Sequence, residues 1–233
     1  MTRPMSVFTV LLFTLLSFDA CKKETEIIDK QEAVLPTTGY SYLALGDSYT
    51  IGQSVTVDER WPVLFARSFQ KQGKTISQPD IIARTGWTTG DLLSALTGSP
   101  PLKKYDLVSL LIGVNNQYQG RNIDQYRQEF RELLLKSIGY AGDDASKVFV
   151  LSIPDWGVTP YANGNNGEQI AKEIDDFNKV AREECEKLKI RFIDITPISR
   201  KALNDRTMIA TDGLHFSGKM HQLWVNEALL YVR

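Results

Sequence analysis

Residues 43–52 read LALGDSYTIG, an apolar run that breaks into a glycine, an aspartate and a serine, with a second glycine four residues beyond the serine. A serine at the mouth of a buried strand is either a helix cap or a nucleophile, because Ser is both a favoured N-cap residue and a hydroxyl that a base can activate. Activation needs a base, a group to orient it and donors for the developing oxyanion. The chain holds two histidines, and the second, His221, falls in the final amphipathic segment, where a surface position is expected. His215 is therefore the base, and Asp212, three residues before it, is close enough in one loop to hold the imidazole by its other nitrogen. The widely spaced acid and base of α/β-hydrolases are not seen, and the serine lacks a glycine two residues after it, so that nucleophile elbow is disfavoured.

These residues need a scaffold that brings distant loops together. Five short, mostly continuous apolar segments, at 40–46, 80–83, 106–113, 147–154 and 190–196, suggest strands buried on both faces. Segments of helical spacing lie between and after them: 59–72, 89–96, 124–137 and 218–232. The clearest helix carries Ile170, Ile174, Phe177, Ala181, Cys185 and Leu188, whose steps of three and four keep one face apolar. Alternating strands and helices imply right-handed crossovers and a parallel sheet covered on both faces, a three-layer α/β/α arrangement of flavodoxin-like type. In such sheets the working crevice lies at the carboxyl ends of the strands. The loops found there are Gly46-Asp47-Ser48-Tyr49, Arg84-Thr85-Gly86-Trp87-Thr88, Gly113-Val114-Asn115-Asn116 and Thr211-Asp212-Gly213-Leu214-His215.

Those four blocks, in that order across residues 40–216, resemble the SGNH, or GDSL, hydrolases. The resemblance implies the SGNH hydrolase fold and a Ser48, His215, Asp212 triad. It further implies an oxyanion hole made by the backbone N–H groups of Ser48 and Gly86 and the Asn115 side chain. The third block departs from the usual Gly-x-Asn-Asp by placing Asn116 last, and no role is carried onto that residue. The implied reaction is cleavage of a carboxylic ester through an acyl-enzyme. The ester is a small-molecule or glycan one: a carbohydrate O-acetyl ester, a lysophospholipid or another short-chain acyl ester. The alternative is a non-catalytic surface lipoprotein that binds glycan or lipid in the same crevice. The long loop 153–167, with Trp156 and Tyr161, is where substrate contacts are expected, while Asp155 within it reads as a solvated carboxylate and Asp47 as an organiser of its own loop.

The remaining features bound the partners. Twenty-seven basic and 28 acidic residues, for a net charge of −1, offer no field for a polyanion, so nucleic acid is not expected. No His/Cys cluster has metal-ligand spacing and no phosphate fingerprint follows the first strand, so neither cofactor nor metal is expected. Arg3 precedes a twelve-residue apolar run, Val7 to Phe18, the length of a signal-peptide core rather than of a spanning helix. Residues 1–20 are thus expected to be a signal peptide. Ala20-Cys21 resembles a bacterial lipoprotein signal, which implies lipidation of Cys21, a flexible tether at 21–38 and one hydrolase domain at 39–233. Export follows, with an N-terminal lipid anchoring the chain to a membrane, periplasmic or at the cell surface. Cys185, on an apolar helical face, reads as a small buried residue rather than half of a disulfide.

Overall fold

The computed structural model describes Met1, Leu35 and residues 38–163 and 166–232. Apart from Met1, the expected signal peptide lies outside these residues, as do Cys21 and nearly all of the tether. The fold runs β1 (Tyr42–Gly46), α1 (Ser48–Ile51), α2 (Trp61–Lys71), β2 (Asp80–Ala83), α3 (Thr89–Gly98), β3 (Leu107–Leu111) and α4 (Val114–Tyr118). It continues through α5 (Ile123–Tyr140), β4 (Val148–Leu151), α6 (Gly167–Lys187), β5 (Arg191–Ile193), α7 (Thr196–Ser199) and α8 (Gly218–Tyr231), with short 3-10 turns between. All five strands pair in parallel in the order β2-β1-β3-β4-β5. Helices α2 and α8 pack on each other, and α3, α5 and α6 pack in sequence, giving a layer of helices on each side of the sheet.

The order of the strands locates the crevice. Successive connections leave β1 toward β2 on one side and return to β3 on the other, so the chain reverses between β1 and β3. A gap opens at such a reversal at the carboxyl ends of the strands. Ser48 lies two residues past β1 and Asn115 four residues past β3, so both arise at this gap.

Burial follows position in the sheet. Every residue of β1, β3 and β4 is buried, whereas β2 and β5, at the edges, are half-exposed along most of their length. The expectation that all five strands are covered on both faces is corrected for those two, because an edge strand has a neighbour on one side only. Under α2 the core is aromatic: Phe65 lies 5.3 Å from Phe149, 5.6 Å from Phe69 and 5.5 Å from Tyr42, whose hydroxyl shares a 2.8 Å hydrogen bond with Ser109. Cys185 is a free, fully buried thiol on α6, as its spacing implied, and burial pushes its pKa up. Buried Glu184 beside it accepts from Arg127 (2.9 Å) and Arg131 (3.1 Å) of α5, tying that helix to α6.

Candidate active site

Gly46 ends β1 where no side chain fits: a Cβ there would stand 2.2 Å from the Thr50 hydroxyl and 2.4 Å from the Leu111 carbonyl. The chain can therefore turn tightly from strand into α1, placing Ser48 first in that helix. The cap is Asp47, whose Oδ1 accepts the Tyr49 N–H at 3.0 Å, so Ser48 itself is free of the capping task. Asp47 is completely buried, and burial lifts its carboxyl to a pKa of about 7. As the first helical residue, Ser48 has an N–H with no acceptor inside its own helix, which leaves that donor for a ligand.

Asp212 and His215 form one tight unit. Oδ1 of Asp212 accepts the N–H groups of Leu214 and His215, each at 2.9 Å, and Oδ2 accepts from the His215 ring Nδ1 at 2.6 Å. A fourth donor was not foreseen: the Ser54 hydroxyl reaches the same Oδ2 at 2.6 Å. Ser54 does so from a left-handed backbone, φ 64°, rare for a residue with a Cβ. No motif in the sequence marks it. Burial pulls the Asp212 carboxyl upward, but these donors outweigh it and hold the group well below the usual carboxylate range. An ionised carboxylate only accepts, so the hydrogen shared with His215 sits on Nδ1; in the neutral imidazole Nε2 is then the acceptor. The His215 ring also rests against the edge of Tyr49, 5.6 Å between centroids, and is 8% exposed.

The other two blocks meet here as well. Gly86 has φ +86°, a conformation open to glycine at no steric cost. Asn115 on α4 donates one side-chain hydrogen to the Trp87 carbonyl at 2.9 Å, which orients its amide and leaves the second hydrogen unassigned. Ser48, Gly86, Asn115 and His215 line a single cavity of about 130 Å³. Asp212 stands behind the imidazole.

Asn116, left without a role by the sequence, has a structural one. Its Oδ1 accepts the Thr89 N–H at 3.0 Å and its Nδ2 donates to the Thr89 hydroxyl at 2.7 Å, while that hydroxyl donates to Glu129 of α5. The buried amide thus braces the start of α3, just past Gly86 and Trp87, against the helix that carries Asn115.

Two expectations are corrected. Asp155 is 1% exposed, not solvated: it caps the turn at Trp156 through the Gly157 N–H (2.8 Å) and binds Arg200 Nε at 2.8 Å. His221 is likewise 1% exposed, packed 4.9 Å from the Trp224 ring, and Nδ1 donates to the Glu59 carbonyl at 2.9 Å. Burial lowers its pKa to about 4. In the loop beyond Asp155, Trp156 and Tyr161 both line the cavity. Among the described residues, no group of three or more His, Cys, Asp or Glu side chains is arranged to hold a metal ion.

Known proteins share this fold. No curated protein matches the sequence. Among solved structures, the fold is similar to the acetylxylan esterase Axe2 from Geobacillus stearothermophilus, with TM-score 0.65 and 18% identity over 85% of this chain and 96% of that one. It is also similar to the psychrotrophic esterase EstA from Pseudoalteromonas sp., described as inhibited by monoethylphosphonate, with TM-score 0.60 and 17% identity over 83% and 96%. The lipase Lip_vut3 from a goat rumen metagenome gives TM-score 0.67 and 18% identity over 83% and 99%. At these identities the likeness is one of fold. The model of the GDSL-like lipase/acylhydrolase family matches residues 44–223, a span that contains every residue of the cavity described above, and the chain belongs to that family of carboxylic ester hydrolases.

Proposed function

We propose that the protein cleaves small-molecule or glycan carboxylic esters with Ser48 as nucleophile, His215 as general base and acid, and Asp212 as the group that orients His215. The observation that carries this is the 2.6 Å contact by which Asp212 holds His215, which lines the same cavity as Ser48. Nε2 of His215 takes the Ser48 hydroxyl proton as Oγ bonds to the ester carbonyl carbon. The carbonyl oxygen becomes an oxyanion, met by the N–H groups of Ser48 and Gly86 and the free side-chain hydrogen of Asn115. Collapse breaks the bond to the alcohol oxygen, which leaves with the proton from His215, and Ser48 is acylated. Water then attacks this second ester, giving its proton to His215, and the acid departs as the proton returns to Ser48. Asp212 stays ionised throughout, since its other donors keep it so.

The cavity is lined mainly by apolar side chains beside this polar group, which suits an ester whose reacting carbonyl is polar and whose flanks are not. The N-terminal sequence supports export and anchoring through a lipid on Cys21. A Cys21→Ser variant then leaves the membrane fraction, and continued membrane association contradicts the anchor. Catalysis is tested by a fluorophosphonate probe: covalent labelling at Ser48 supports the enzyme, whereas tight binding of glycan or lipid without labelling supports a binding protein in its place.

A further inference from the structure

One wall of the cavity is made by two tyrosines that arrive from opposite halves of the site. Tyr118 ends α4, three residues after Asn115. Tyr161 lies in the short 3-10 turn Pro160–Ala162, and its N–H donates to the carbonyl of Gly213, the residue after Asp212, at 2.9 Å. The two hydroxyls share a hydrogen bond of 3.1 Å. Both rings lean on Trp156, with centroids 5.5 Å and 6.2 Å away. Trp156 is itself fixed, since Nε1 donates to Gln117 at 2.8 Å and Gln117 donates to Glu173 at 2.7 Å. The tyrosines are 54% and 48% exposed, so this wall is anchored at its base and stands in solvent at its tips.

We propose that Tyr118 and Tyr161 determine specificity, their bridged hydroxyls closing the cavity at a length that admits acyl groups of up to about four carbons. The inference rests on the ester-hydrolase assignment above and goes further by naming the acyl class. The size comes from the volume. A dry cavity of about 150 Å³ takes a guest the size of benzene, so the 130 Å³ here takes roughly five or six heavy atoms. The ester group occupies two or three of them, and about two to four remain for further carbons. A longer chain must part the two hydroxyls, which surrenders one neutral hydrogen bond, and must displace rings that meet Trp156 edge to face. The bridge joins the helix bearing Asn115 to the turn whose Tyr161 N–H holds the Gly213 carbonyl of the loop bearing His215, so parting it also loosens the donors from the base.

The test is kcat/KM on p-nitrophenyl acetate, butyrate, hexanoate and octanoate for the wild type, Tyr118→Ala and Tyr161→Phe. The wild type is expected to lose at least tenfold from butyrate to octanoate. The octanoate-to-butyrate ratio is expected to rise about tenfold in Tyr118→Ala and about threefold in Tyr161→Phe, which removes one hydroxyl and keeps the ring on Trp156. A ratio unchanged within twofold in both variants, or a wild type that favours octanoate, overturns the proposal. So does a loss confined to acetylated xylooligosaccharide relative to p-nitrophenyl acetate, which assigns the wall to the alcohol part instead. Tyr161→Phe removes a half-exposed hydroxyl alone and keeps the comparison open if the alanine variant does not fold. A wild type inert on every ester, with Ser48 unlabelled by the fluorophosphonate, removes the ester-hydrolase assignment itself and is recognisable as that.

Discussion

His221 makes stability depend on pH in a way that a single substitution can isolate. The ring is buried between Trp224 and the Glu59 carbonyl, its pKa lowered from 6.5 to about 4 by burial, with His215 also lowering it and the Glu59 carbonyl and carboxylate working against. The unfolded chain therefore takes up a proton near pH 6.5 that the folded chain refuses until about pH 4, so stability falls as pH falls through that window. At about 1.36 kcal/mol per unit, acidification from pH 7 to 4.5 removes roughly 2 kcal/mol. The wild type hides much of this loss. Buried Asp47 has its pKa raised from 3.8 to about 7, so the folded chain holds a proton there that the unfolded chain has lost, and stability rises as pH falls through nearly the same window. In His221→Gln, whose amide can still donate to the Glu59 carbonyl, only the Asp47 slope remains. The difference between variant and wild type cancels Asp47 and every other group. Urea unfolding followed by tryptophan fluorescence at pH 7 and 4.5 should show this difference moving by roughly 2 kcal/mol in favour of the variant at the lower pH, a midpoint shift of about 1 M. A difference constant within about 0.5 kcal/mol refutes a neutral, buried His221.

The remaining predictions concern the site and the core. Ser54→Ala deletes a hydrogen bond to the ionised Asp212 that leaves three others in place, and kcat should fall about tenfold with KM little changed; kcat within twofold of wild type contradicts a positioning role for Ser54. Asn115→Ala removes one of the proposed oxyanion donors, and kcat on p-nitrophenyl acetate should fall by about 10²–10³ while circular dichroism shows an intact fold. Phe149→Ala empties the centre of the aromatic core between Phe65 and Trp61 and should cost about 3–5 kcal/mol in urea unfolding, whereas a loss under about 1 kcal/mol contradicts the packing.

What the sequence made legible was whatever its local chemistry dictates. The apolar runs placed all five strands, and the steps of three and four from Ile170 to Leu188 placed α6, because burial and periodicity are properties of a short window. The exposed faces of β2 and β5 were not legible, since DIIA and IRFIDIT do not record which strands lie at an edge. The spacing of Asp212 and His215 gave their pairing because both lie in one loop. Ser54 escaped notice because its partner is 158 residues away and its own neighbourhood holds no motif. Asp155 looked solvated for the same reason: Arg200, which neutralises it, is 45 residues on. His221 was different, for its burial was visible in principle. With Trp224, Val225 and Ala228 it falls at spacings of three, four and seven, on the buried stripe of α8, but its polar character argued for the surface.

The central claim, that Ser48 is the nucleophile of an ester hydrolase, is tested most directly by p-nitrophenyl acetate hydrolysis and fluorophosphonate labelling of purified wild type and Ser48→Ala side by side. The wild type should turn over and take up one probe at Ser48, and the variant, equally folded, should do neither. Equal hydrolysis by both proteins, or labelling that persists without the Ser48 hydroxyl, contradicts it.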